Sequence, residues 1–180
     1  MTADGDRELV IDTGPLSHLA EAGWLSILRS IAGPRPVVIP DAVDAELRRG
    51  THLKPHLQSV LDAEWIVVRS LVSDAELAAF AHFAARLVVG DRNVGEAAVL
   101  AYAKTHGAVA VMDDGAGRRA ARDADVELRP TLSLLCQAVR EGLLTVRLVA
   151  DLADHLLETQ YRLPFAQGGF EAWAIENDLV

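Results

Sequence analysis

Leu9-Val10-Ile11-Asp12-Thr13-Gly14-Pro15 sets three consecutive apolar residues directly against an acid and then a turn pair. A continuous apolar triplet predicts a short strand buried on both faces, as in a parallel sheet. The strand ends at Asp12. Leu16, Leu19 and Ala20 follow at helical spacing and predict a helix that stops near Gly23. The same order recurs down the chain. Val37-Val38-Ile39 is a second strand closed by Pro40, and Asp41 is placed to cap a helix running through Val43 and Leu47 to Gly50. Trp65-Ile66-Val67-Val68 is a third strand. Ser73-Asp74-Ala75-Glu76 matches a capping box, and Leu77, Phe80, Ala81, Ala84, Leu87 and Val88 continue it as a helix. A helix from about Gly95 to Thr105, a strand from Ala108 to Met112 and a helical stretch after Asp113-Asp114 come next. Pro130-Thr131 opens a helix containing Cys136. The last thirty residues read as helical around Leu152 to Gln160, break at Pro164 and resume after Gly168-Gly169. Strands alternating with amphipathic helices predict an α/β fold with a parallel sheet.

The chain has 180 residues, and single cores commonly serve about 100–200. With no repeat or long linker, residues 1–150 are expected to form one domain and residues 151–180 a helical extension packed on it. Hydrophobic residues make up 51%, enough for a core without disulfides or a structural metal. The lone Cys136 excludes an intramolecular disulfide and a Cys-rich zinc site, fits a reducing compartment, and is expected to be buried. No apolar run approaches the ~18 residues of a membrane span. Met1 to Glu8 is acidic without an apolar stretch, so no secretory signal is read and a cytoplasmic location is expected.

The net charge of −9, from 17 basic and 26 acidic residues, argues against gripping nucleic acid by charge alone. It leaves room for an enzyme that approaches nucleic acid through cations. Residues 151–180 hold six acids and one arginine, and with the four acids singled out next they account for the whole excess.

Those four are Asp12 just past the first strand, Glu46 on the helix after the second, Glu96 early in the 95–105 helix, and the Asp113-Asp114 pair past the fourth strand, taken as one position. Ligand sites in parallel α/β sheets collect at the carboxyl ends of strands. Crowded carboxylates repel unless they share protons or bind a cation. Oxygen donors without His or Cys point to Mg2+ or Mn2+ rather than zinc. Such a cluster suits metal-assisted phosphodiester cleavage. Taken singly, each acid also fits a helix cap or a solvated face. Asp12-Thr13-Gly14 is the aspartic-protease tripeptide, but those proteins are β-rich. A haloacid-dehalogenase-type phosphatase would carry a second Asp where Gly14 stands.

The chain resembles the PIN-domain ribonucleases, including the VapC-like toxins of VapBC toxin–antitoxin pairs, over roughly residues 8 to 145. Leu9-Val10-Ile11-Asp12-Thr13 resembles the family's opening strand with its first acid. Val38-Ile39-Pro40 through Val43 to Glu46-Leu47 resembles the second motif. Glu96-Ala97-Ala98-Val99-Leu100-Ala101-Tyr102-Ala103 with Gly107 resembles the third, and Val111-Met112-Asp113-Asp114 the fourth. Two departures stand out: Glu96 where the family more often has Asp, and Met112 where it usually has Thr or Ser. The resemblance implies a three-layer α/β/α fold and Mg2+- or Mn2+-dependent endonucleolytic cleavage of RNA. Asp12, Glu46, Glu96 and Asp114 would be the catalytic and metal-binding set, with Asp113 a further metal candidate and Asp114 favoured over it by register. Thr13 would add a hydroxyl near the metal; Asn93 would orient a ligand or cap a helix. An antitoxin and a homodimer are the implied partners. A PIN module that binds RNA or protein with little catalysis, and another metal phosphohydrolase on the same acids, remain as alternatives.

Arg48 after Glu46, and Arg118 and Arg119 after Asp114, are placed to meet a phosphate backbone, for which the forked guanidinium is suited. A solvated helix face accounts for them equally. Arg49, His52, Lys54, His56 and Arg122 extend the two basic runs. The six His residues lack a paired metal-ligand spacing and read as surface or loop residues. Trp24, Trp65 and Trp173 are scattered and read as core or interface rather than as base-stacking platforms. The Ala/Phe face of the Ser73 to Val89 helix reads as core, with a dimer surface as the alternative.

Overall fold

Leu9–Ile11 forms β1, fully buried, at the centre of a five-stranded sheet in which every strand runs parallel. On one side lie β2 (Val37–Pro40) and, beyond it, β3 (Ile66–Arg69). On the other lie β4 (Val109–Val111) and, beyond it, β5 (Leu128–Arg129). The computed structural model describes residues 7–179. The acidic start Met1–Asp6 and the final Val180 lie outside the described residues. Leu9 pairs with Val37 on one side and Val109 on the other, so β1 is covered along both edges. The three central strands β2, β1 and β4 are apolar and buried throughout, whereas the outer strands β3 and β5 end in Arg69 and Arg129 and are only partly covered. The result is the three-layer α/β/α fold.

Helices α1 (Thr13–Glu21) and α2 (Ser26–Ala32) join β1 to β2, and α3 (Asp41–Gly50) with the short α4 (Gln58–Leu61) joins β2 to β3. Then α5 (Asp74–Leu87) and α6 (Val94–His106) return the chain across the sheet to β4. That return is the topological switch: the chain leaves β1 on one side and re-enters beside it on the other. The carboxyl ends of β1 and β4 therefore flank a crevice, where open α/β sheets bind ligands. Helix α7 (Gly115–Asp123) leads to β5, and α8 (Thr131–Arg140), α9 (Val146–Glu158) and α10 (Phe170–Glu176) finish the chain. Residue 150, the expected limit of the main domain, falls inside α9. Helix α9 is stitched to α1 by Trp24 Nε1 donating to His155 Nδ1 at 2.8 Å and by His18 against Thr159 at 2.9 Å.

Several expectations are refined. The Ser73–Glu76 capping box forms as expected. Asp41 opens α3 without capping it; Pro40 holds the N-cap position and makes no side-chain bond. Asn93 holds the N-cap position of α6, one of its two expected places, with a left-handed φ of 65°; it makes no side-chain cap bond, and its amide donates to the Leu87 carbonyl at 2.9 Å. None of the six histidines is buried, in keeping with a surface or loop reading: His52, His82, His106 and His155 are exposed and His18 and His56 partly so. On α5, Phe83 and Leu87 enter the core while Leu77 stays half exposed. Cys136 is buried. Among the described residues no helix is long and apolar enough to cross a membrane.

Candidate active site

Asp12 follows β1 at the switch. Its backbone N–H donates to the Val111 carbonyl at 3.1 Å, which draws the ends of β1 and β4 together. The side chain is only 7% exposed. Burial, with the negative fields of Glu96 and Glu46, pushes the Asp12 carboxyl up to about 7, against the pull of the Thr13 and Gly14 N–H groups.

Glu46 projects from α3, where the helix started at Pro40 has completed its first turns. The Thr13 hydroxyl donates to its Oε2 at 2.8 Å and the Gly95 N–H to its Oε1 at 3.1 Å. A Cβ on residue 95 would stand 2.8 Å from that Oε2, so only glycine lets α6 come this close to the carboxylate. Glu96 follows at once. Burial, with Glu46 and Asp114, raises its carboxyl above the ordinary range.

The two acids after β4 part company. Asp114 is the N-cap of α7: its Oδ2 accepts from the N–H of Ala116 at 2.6 Å and of Gly117 at 2.8 Å, and it faces the field of Glu96. Asp113 turns to α8, accepting the Thr131 N–H on Oδ1 and the Thr131 hydroxyl on Oδ2, both at 2.8 Å. The Tyr161 hydroxyl joins it, and burial together with Asp113 drives that phenol far above its ordinary value. Met112 is fully buried and lies beneath α7 against Gly117. The hydroxyl bonded to Asp113 is thus supplied by Thr131 from the neighbouring strand end.

Asp12, Glu46, Glu96 and Asp114 feel one another's charge, whereas Asp113 is held apart by Thr131. The four offer oxygen only, and their mutual repulsion around a buried Asp12 favours a hard divalent cation such as Mg2+ or Mn2+ by donor chemistry. Among the described residues no three His, Cys, Asp or Glu side chains draw close enough to hold an ion as they stand. Glu46 has both oxygens turned to Thr13 and Gly95, and one Asp114 oxygen to α7, so the carboxylates lean on the protein.

Of the basic residues, Arg48 is tied to Asp44, one turn back on α3, by two bonds of 2.8 and 3.1 Å. It is a surface pair, not a free phosphate ligand. Arg118 and Arg119 are exposed on the first turn of α7 beside Asp114, and among the described residues neither has an ion pair. Sequence reasoning did not reach the roles of Gly95, Thr131 and Tyr161. A glycine in the first turn of an Ala-rich helix, where no turn demands it, was the available signal of a close approach.

A parallel α/β sheet with carboxylates gathered at its switch point puts an acidic site where open α/β sheets bind ligands. A family model described as a PIN domain matches residues 8–166, and the chain belongs to that family. PIN domains are, as a class, nucleases. No curated protein and no solved structure matches the chain.

Proposed function

We propose that this chain is an endoribonuclease acting with Mg2+ or Mn2+. The observation that carries the reading is the buried Asp12 at the switch point, its carboxyl in the negative fields of Glu96 and Glu46. Asp12, Glu46, Glu96 and Asp114 would hold the ion, directly or through water. The bound ion would supply an activated water and neutralise charge on the leaving oxygen. Thr13 fixes Glu46 by its hydroxyl, and Gly95 fixes the other Glu46 oxygen through its amide. Burial of Asp12 excludes bulk water from one side of the carboxylates. Arg118 and Arg119 would meet the phosphodiester backbone along the exposed turn of α7.

A toxin role, with a small antitoxin protein as partner, a homodimeric state and a cytoplasmic location complete the proposal. A small reading frame beside the gene would support the pairing. A second reading, an RNA- or protein-binding module with little catalysis, is favoured by the engagement of both Glu46 oxygens. Incubating purified chain with RNA and Mn2+ or Mg2+ separates the two. Metal-dependent cleavage lost in Asp12→Asn supports the enzyme; no cleavage by the intact chain supports the binder. Cleavage that survives Asp12→Asn defeats the assignment of the site, and hydrolysis confined to small phosphate esters would make the chain a different phosphohydrolase.

A further inference from the structure

Beside the carboxylates lies a cavity of about 840 Å3. It opens past the carboxyl ends of β4 and β5 and is walled by α8, the 160–164 segment and α10. Its size falls in the range of small-ligand pockets, ~300–1,000 Å3. Asp114 and Arg118 stand on its edge, so it is continuous with the candidate active site.

Beside the carboxylates of Asp113 and Asp114 and a set of apolar side chains, the lining carries two further chemistries. Arg118, Arg140 and Arg162 bring three guanidinium groups to it. Arg118 and Arg162 have no ion pair among the described residues, while Arg140 gives one N–H to the Leu179 carbonyl at 3.2 Å. Trp173 and Tyr161 supply aromatic faces, and both are held in place by neighbours. Trp173 packs on Phe165 with ring centres 5.2 Å apart, and Tyr161 meets His18 edge-on at 5.1 Å. Forked cations beside fixed aromatic rings are what single-stranded nucleic acid requires: phosphates for the first, an unstacked base for the second.

We propose that this cavity is a nucleotide subsite, seating one splayed base of the RNA strand against Trp173 and Tyr161 while Arg118, Arg140 and Arg162 hold its phosphates. The proposal deepens the ribonuclease reading and rests on it. Continuity with Asp114 favours the substrate strand over a protein segment as occupant.

The test is metal-free, so it stands apart from cleavage. Anisotropy of a labelled mixed-sequence pentanucleotide RNA is measured with the full chain in EDTA. Arg162→Glu reverses one charge, and Ser133→Trp fills the cavity from an exposed position on α8. Each is expected to weaken binding by about tenfold, and an abasic strand of equal length to bind about tenfold more weakly than the normal one. Unchanged thermal midpoints in both variants exclude misfolding as the cause. If a variant does unfold, Arg162→Ala replaces it. Equal binding by intact chain and variants overturns the proposal, as does an abasic strand that binds undiminished. An acidic peptide that binds the cavity where the RNA does not would also overturn it, in favour of a protein occupant. A chain that holds the strand in this pattern but cuts nothing with Mn2+ fails as a nuclease while keeping the subsite. A chain that cuts RNA with the variants neutral loses the subsite alone.

Discussion

Gly95 and Glu46 are fitted to each other: the Gly95 amide donates to one oxygen of the Glu46 carboxylate, and the missing Cβ makes room for the other. The atom a new Cβ would meet is the end of a flexible side chain, so the fold can yield where the site cannot. Gly95→Ala is therefore expected to leave the thermal midpoint within about 4 °C, since alanine also favours the helix. Metal-dependent RNA cleavage should fall by about a hundredfold, the scale of a misplaced catalytic group. Parallel melting and cleavage measurements check it; normal cleavage would show that Glu46 is not held in a working position.

Asp12 sets a pH dependence of stability. Its carboxyl is raised from 3.8 to about 7, so the native state favours the protonated form. Stability on its account is complete below pH 3.8 and is lost as pH rises toward 7, by up to about 4 kcal/mol. Asp12→Asn should remove that loss, so that in EDTA above pH 7 the variant melts higher than the intact chain. Melting curves across this pH range decide it, and a variant with an unchanged pH profile would contradict the field described around Asp12. Added Mn2+ should raise the melting point of the intact chain and not that of the variant.

Glu76 works in the opposite sense. His106, Ser73 and the Val72 N–H gather on its carboxylate, the first two holding it down at about 2. Its contribution is present above pH 4.5 and is lost as pH falls through about 2. Glu76→Ala should cost about 1 kcal/mol near neutral pH, the usual size of a lost cap, and progressively less in acid. Urea unfolding at a series of pH values measures the difference.

Arg118 and Arg119 differ from Arg48 in having no ion pair among the described residues. Replacing either with Ala should weaken RNA binding for all sequences alike and lower the slope of log affinity against log salt by about 1. Arg48→Ala should leave the slope unchanged, because its guanidinium is already committed to Asp44. Titrations at several salt concentrations give the three slopes directly.

Strands β1, β2 and β4 and helices α1, α3, α5 and α6 were legible because each buries an apolar run of the right period, and β3 by its apolar run although it is only partly buried. Helix α2 was missed: Ser26–Ala32 is short and its apolar residues, Ile27, Leu28 and Ile31, span barely one stripe. Strand β5 was missed because two residues, Leu128 and Arg129, make no pattern. The positions of Asp12, Glu46, Glu96 and Asp114 could be read from their places after strands and in helices. Asp44 stands four residues before Arg48 on the helix expected there, so their pairing was legible as well; the hold of Thr131 on Asp113 could not be read from spacing. Nor could the cavity, whose walls come from segments joined only by tertiary packing.

Asp113 and Asp114 are neighbours in the chain with opposite duties, one a rivet clasped by Thr131 and the other open toward Glu96. What assigns the duties is the alternation of a strand only three residues long. One residue added within β4 would carry Met112 into the place of Asp113 and Asp113 into that of Asp114, leaving Thr131 without its acid, while changes of length in the turn between α7 and β5 would leave both acids in place. The chain should therefore tolerate insertion near Asp125 and be silenced by a single added residue between Val109 and Met112, with the same composition and nearly the same core.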